Sequence, residues 1–314
     1  MGSQHVKMKP RLVSRLSSEY LLWFLGQVRQ AFDGDVIKGV IFLAVTQANV
    51  RHIDEGSPAG WTELDNPPPD NLRRPVSAGA VAVALGVPKE TARRKIRELV
   101  SARFCALAPG GVIVPRRVFL RPGNASGLKR NAEHLRALFS ALDRHEVGLV
   151  RRYCLAVGEA RLRQLGRVST DFTLRATGIL RGLCDGELLA GLIFLSINVA
   201  NVRHITAAHE PLYATAEDPP PNSERHPISA LALSRELGIP AETVRRHVRQ
   251  LEAAGYCIAV KGGLVVPTEV LMQPKFKAAV AQAAENLVWL LEELVRVGVL
   301  QLRSEPSLPE PVAG

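Results

Sequence analysis

The chain has 314 residues, 46% of them hydrophobic and only 5% aromatic, with a formal net charge of +10 and an isoelectric point near 9.8. That length suits two domains of ordinary size, and that apolar content excludes wholesale disorder. The charge favours a polyanionic partner, nucleic acid before membrane, and the longest apolar runs, around 39–45 and 191–197, fall far short of the ~20 residues that span a bilayer.

The first twelve residues are polar and basic rather than apolar, so no secretory signal is expected and a cytoplasmic, nucleoid-associated location is. Residues 21–32 read as an apolar helix. Residues 35–53 place apolar side chains at 36, 37, 40, 41, 44 and 48, the stripe of a second helix, with Asp33 expected as its N-cap. Gly39 lies inside that helix, where glycine costs stability, so another helix is expected to pack closely there. The helix closes on the sequence A-N-V-R-H-I, residues 48–53, and the Pro-rich polar stretch 54–76 reads as a long loop. Ser77 then caps a short helix that ends at Gly86, a residue suited to the left-handed C′ position, and Pro88 opens the next helix, where its fixed φ fits the first turn. In that helix Ala92, Ile96, Leu99 and Val100 share one face, which leaves Lys89, Glu90, Thr91, Arg93, Arg94 and Arg97 outward. The runs 104–107 and 112–114, about Gly110 and Gly111, form a two-stranded hairpin. Amphipathic helices over 128–142 and 146–165 follow.

The pattern recurs. Shifted by 152 residues, positions 33–115 lie over 185–267 without a gap, and 35 of the 83 pairs are identical. A period this long means two whole domains rather than a solenoid. Residues 14–143 are expected to form the first and 144–303 the second, with 304–314 a flexible tail. The amphipathic helix at 276–299 suits homodimerisation or packing on its own repeat. Net charge by segment is +4 over 1–32, +1 over 33–115, +9 over 116–184, −2 over 185–267 and −2 over 268–314, so the excess lies between the repeated units rather than in them. The four cysteines, Cys105, Cys154, Cys184 and Cys257, lack CxxC or Cys/His metal spacing, which points to reduced, buried thiols and to no metal or cofactor. A redox switch at Cys105 and Cys257 is the alternative.

Helix, tight turn, second helix with an arginine-rich outer face, then hairpin: this resembles the winged helix-turn-helix of bacterial transcriptional regulators. The cadence L-G-x-P-x-E-T-x-R-R at 85–94 and 237–246 is similar to GntR- and MarR-type heads. The likeness covers roughly 77–115 and 229–267, and the second copy is closer, since Ala92 stands where the pattern has valine. The resemblance implies a mainly α fold with small β-wings, two tandem winged helix-turn-helix domains with extra flanking helices about a pseudo-two-fold axis. It implies that each second helix enters the major groove of double-stranded DNA. Lys89, Thr91 and Arg93, with Ala241, Thr243 and Arg245, would then meet base edges, and Arg94, Arg97, Arg246 and Arg249 would meet phosphates. Arg116, Arg117 and Arg121 follow the first wing and Lys261 stands at the tip of the second, all placed for backbone contacts. Six basic residues in 88–103, against three arginines and a histidine in 240–254, make the first head the expected stronger binder.

Asn49, Arg51 and His52, with Asn201, Arg203 and His204, fit either a clamp for a small anionic effector or an anchor for the Pro-rich loop and the junction between repeats. No catalytic constellation appears: H-E-x-x-H, G-x-S-x-G and Gly-rich phosphate loops are all missing, and no enzyme is expected. The expected function is a transcription regulator reading a pseudo-palindromic site. The alternatives are a plasmid or phage replication initiator with tandem winged helices, and a docking subunit of a chromosome-organising complex that does not bind DNA; the outer arginines weigh against the last.

Overall fold

Apolar side chains at Leu12, Val13, Leu16, Tyr20, Leu21, Phe24 and Leu25 recur every three to four residues, and they carry the first helix, α1 (Pro10–Gln30), well upstream of the expected 21–32. The computed structural model describes residues 9–53, 61, 63–145, 153–155, 161–205, 213 and 218–302. α2 (Val36–Val50) is capped by Asp35, whose side chain accepts from the Lys38 amide at 2.9 Å. Asp33 is not the cap. With φ of +56° it belongs to a left-handed tight turn with Gly34, and Asp185 repeats this at +49° ahead of α8 (Leu188–Val202).

The Ser77 hydroxyl caps α3 (Ala78–Leu85) and Gly86 closes it at φ +60°. Helix α4 (Lys89–Ser101) follows, then the antiparallel hairpin of β1 (Ala106–Ala108) and β2 (Gly111–Ile113), on which Val76 bridges Val112. A short helix α5 (Arg116–Phe119) leads into α6 (Pro122–Arg144). The second repeat runs in the same order: α7 (Leu162–Leu183), α8, α9 (Ala230–Leu237), α10 (Ala241–Ala253), β4 (Ile258–Val260), β5 (Gly263–Val265), α11 (Thr268–Leu271) and α12 (Pro274–Arg296). The helix expected over 146–165 is corrected in part. Residues 146–152 and 156–160 lie outside the described residues, β3 (Tyr153–Leu155) pairs antiparallel with β6 (Leu300–Leu302), and α7 begins only at Leu162. The fold is thus mainly helical with small two-stranded sheets. No single helix among the described residues is long and apolar enough to cross a membrane.

The repeats are interleaved. α1 packs on α12 as well as on α2 and α6, and α7 packs on α6 and α2 as well as on α12 and α8. Buried residues of both repeats form one continuous core. Tyr20 of α1 donates to Asn131 of α6 at 2.8 Å, and Asn131 donates to Ser169 of α7 at 2.9 Å, a buried polar link across three helices. α12 buries Leu287, Leu290, Leu291 and Leu294 inside the chain, so the face proposed for homodimerisation is already covered. The interior glycines behave as the sequence implies: a Cβ at Gly39 would come within 2.7 Å of Val28, and one at Gly191 within 2.6 Å of the Leu180 carbonyl.

One contact is made twice, in mirrored roles. Arg181 of α7 donates to the Ala84 carbonyl at the end of α3 (2.6 Å), and Arg29 of α1 donates to the Arg235 carbonyl at the end of α9 (3.3 Å). The left-handed glycines ending those helices sit against the tight turn of the opposite repeat, Gly86 on the Gly186 carbonyl and Gly238 on that of Gly34. Gly86→Ala should therefore cost about 1–2 kcal/mol for the left-handed backbone and more for the clash. Gly110→Ala, at φ +88° with nothing within 4 Å of its Cβ, should cost only the conformational part. Urea denaturation of the two variants checks this; equal losses would remove the inter-repeat contact from the account.

Candidate functional site

α4 and α10 each bury one face and present the other. Ala92, Ile96 and Leu99 are buried, while Lys89, Arg93, Arg94 and Arg97 are exposed and Thr91 is half-buried. In α10, Val244, His247, Val248 and Leu251 turn inward, leaving Arg245, Arg246 and Arg249 exposed and Thr243 half-buried. The same electrostatic device sits on both helices. Glu90 pairs with Arg93 (3.7 Å) and Arg97 (2.9 Å); Glu242 pairs with Arg245 (3.4 Å) and Arg249 (2.9 Å). Exposed pairs of this kind are worth little in water, so they fan the guanidiniums out along the helix yet release them readily to a stronger anion.

The charge count overstates the first helix. Lys95 turns inward to Asp35 (2.5 Å) and Glu98 (3.0 Å), and Arg94 also reaches Glu98 (3.3 Å). In the second copy Gln250 stands in the place of Glu98, and Arg246 contacts only the neighbouring His247 ring among the bonds described. Lys261 is exposed at the tip between β4 and β5. Arg117 is exposed, but its neighbours are occupied. The Arg116 amide donates to Asp70 (2.5 Å) and its guanidinium to Asn66 (3.3 Å). Arg121 stacks over Phe104 at 4.2 Å and donates to the Arg103 carbonyl (3.0 Å), bracing the hairpin instead of extending from it. Arg116 and Arg121 are therefore corrected from phosphate contacts to loop and hairpin supports.

The A-N-V-R-H-I segments serve structure. Asn49, fully buried, donates to the carbonyls of Arg74 (2.7 Å) and Val112 (3.1 Å) and accepts from the Val114 amide (2.8 Å). Asn201 does the same with His226 (2.7 Å), Leu264 (3.0 Å) and Val266 (2.9 Å). Each carboxamide thus has both N–H donors and its oxygen engaged by the loop and the hairpin. His52 hydrogen-bonds the Leu72 carbonyl at 2.9 Å, and His204 stacks on His226 with ring centroids 3.5 Å apart. Arg203 pairs with Glu236 at 3.1 Å, and Arg51 is exposed. Asn49, His52 and Asn201 therefore anchor the Pro-rich loop and the hairpin, while the Arg51 side chain stays on the surface.

Two buried arginines escaped the sequence reading, although P-P-P-x-x-x-R recurs in both copies. Arg73 donates to the Pro68 carbonyl (2.9 Å), and Arg225 reaches Thr268 and Asn198 (both 3.4 Å). Arg163, expected on an amphipathic helix face, is likewise buried and donates to the carbonyls of Glu63 (2.8 Å) and Leu64 (2.5 Å). Burial also governs the thiols. It pushes Cys105 and Cys257 up to about 12 and Cys184 to about 11, so all three are neutral at pH 7, where a switch needs thiolate. Iodoacetamide at pH 7 should label these three at least a hundredfold more slowly in the native protein than in guanidinium, as read by peptide mass spectrometry. Comparable rates would restore the redox alternative.

No family model, curated protein or solved structure matches this chain.

Proposed function

We propose that the chain is a sequence-specific double-stranded-DNA-binding transcription regulator with two winged helix-turn-helix heads, acting on the nucleoid. The observation that carries this reading is the pair of outward arginine faces. α4 and α10 follow the same Gly-closed turn, precede the same hairpin and fan the same arginines from the same glutamate. A helix of this kind fits the major groove, with Lys89, Thr91, Arg93, Ala241, Thr243 and Arg245 near base edges and Arg94, Arg97, Arg246, Arg249, Arg117 and Lys261 near phosphates. The reciprocal Arg29 and Arg181 contacts and the shared core couple the heads as one body, which suits a pseudo-palindrome with half-sites about one helical turn (~34 Å) apart. In vitro selection from a random duplex pool, followed by footprinting, should yield one enriched sequence with two protected half-sites. Recovery of no enriched sequence would overturn the proposal.

A further inference from the structure

The first repeat and the N-terminal half of α7 line a half-open cavity of about 610 Å³, a size typical of small-molecule sites. Its walls are largely apolar and aromatic, with Trp23, Phe42, Phe104 and Phe119, while its charged lining is basic, including Arg73 and, from α7, Arg163 and Arg167. No aspartate or glutamate lines it among the described residues. Arg73 is 5% exposed, and its Nη1 is buried without a hydrogen-bond partner, as is the hydroxyl of Thr46 in the same wall. Burial and the nearby cations Arg73 and Arg167 push Arg163 down to about 10, the mark of positive charges held together in poor solvent. Asp70 pairs with Arg73 Nε at 3.3 Å, which leaves an excess of positive charge among the three arginines. A further anion would offset that excess, and the orphaned buried Nη1 adds to the cost of leaving it uncompensated. An inorganic ion would leave the aromatic walls unused.

We propose that this cavity binds an organic anion, a carboxylate on an apolar body. The carboxylate sits on Arg73 beside Arg163 and Thr46, and the body lies against the aromatic walls. The second repeat supports the assignment by contrast. Arg225, Arg11 and Arg15 occupy the three equivalent positions, but the cavity there is only about 130 Å³. Phe276 lines it where Asn124 lines the larger one, so the charges remain while the room for a ligand body has been filled. One ligand per chain follows.

Binding is measured directly, so the result stands apart from the DNA reading. Titration calorimetry of the full chain with 2-naphthoate and with decanoate should give one saturable site for at least one of them. The corresponding neutral alcohols and acetate should bind at least tenfold more weakly. Arg163→Met should lose at least tenfold in affinity. Asn124→Phe, which copies the residue the second repeat already accommodates, should lose as much with an unchanged melting curve. The proposal is overturned if neither anion saturates, if anion and alcohol bind alike, or if Asn124→Phe binds as the parent does.

Discussion

Truncating Arg93 and Arg97 together to alanine should weaken binding to the selected duplex by about a hundredfold, and truncating Arg245 and Arg249 should cost about as much. Each pair removes contacts worth roughly 1–3 kcal/mol apiece and unseats one of two linked heads. The four side chains are between 53% and 72% exposed and lie in ion pairs to Glu90 and Glu242, so their loss leaves the core untouched. Circular dichroism and the urea midpoint should stay where they are. The slope of log K against log salt should fall by about 2 for each pair, a readout that unfolding would not mimic. Composition alone ranks the first head higher, yet Lys95 faces Asp35 and Arg94 shares Glu98, while Lys261 has Pro109 as its counterpart. That is why the losses are expected to be similar. Unchanged binding in either folded variant would remove that head from the DNA interface.

The features legible in the sequence were those set by near neighbours. Ser77, Gly86 and Pro88 bracket a turn through backbone rules that act within four residues, and the hydrophobic period of α4 sorts its own faces. The repeat itself is visible by alignment. What stayed hidden depended on partners far along the chain. Asn49 is an ordinary polar residue at a helix end until Arg74, Val112 and Val114 are brought to it from 25 to 65 positions away. Arg73 and Arg163 have the look of solvated charge because composition gives sign but not burial, and here a cavity wall decides. The N-terminal half of α1 is hard to read from sequence because serines and arginines dilute its stripe, which becomes intelligible only against α12 and α6. The cap falls on Asp35 instead of the expected Asp33 because Asp33 and Gly34 form a left-handed turn that ends just before it.

The largest stability effect should come from the buried asparagines Asn49 and Asn201. Asn49→Ala removes three hydrogen bonds, but their loss is unequal. The Val112 carbonyl keeps its bond from the Val76 amide at 3.1 Å, whereas the buried Val114 amide has Asn49 as its acceptor. An orphaned buried N–H costs about 1–3 kcal/mol beyond the bonds themselves, so the total should be about 3–4 kcal/mol. Asn201→Ala, with Val266 in the place of Val114, should match it. Asn71→Ala, at an exposed position of the short 3-10 turn Asp70–Leu72, should stay within about 0.5 kcal/mol. Urea denaturation gives the magnitudes, and hydrogen exchange supplies the location: the Val114 amide should lose protection in Asn49→Ala before the amides of α1 do. The site matters for function because this carboxamide is what fastens the hairpin and the Pro-rich loop to α2. Loosening it leaves the arginines of α4 in place and lets the hairpin drift, so DNA affinity should fall at temperatures where the core is still folded. A loss below about 1 kcal/mol for both asparagines would mean that the strand ends are held by other bonds, and the anchoring role would pass elsewhere.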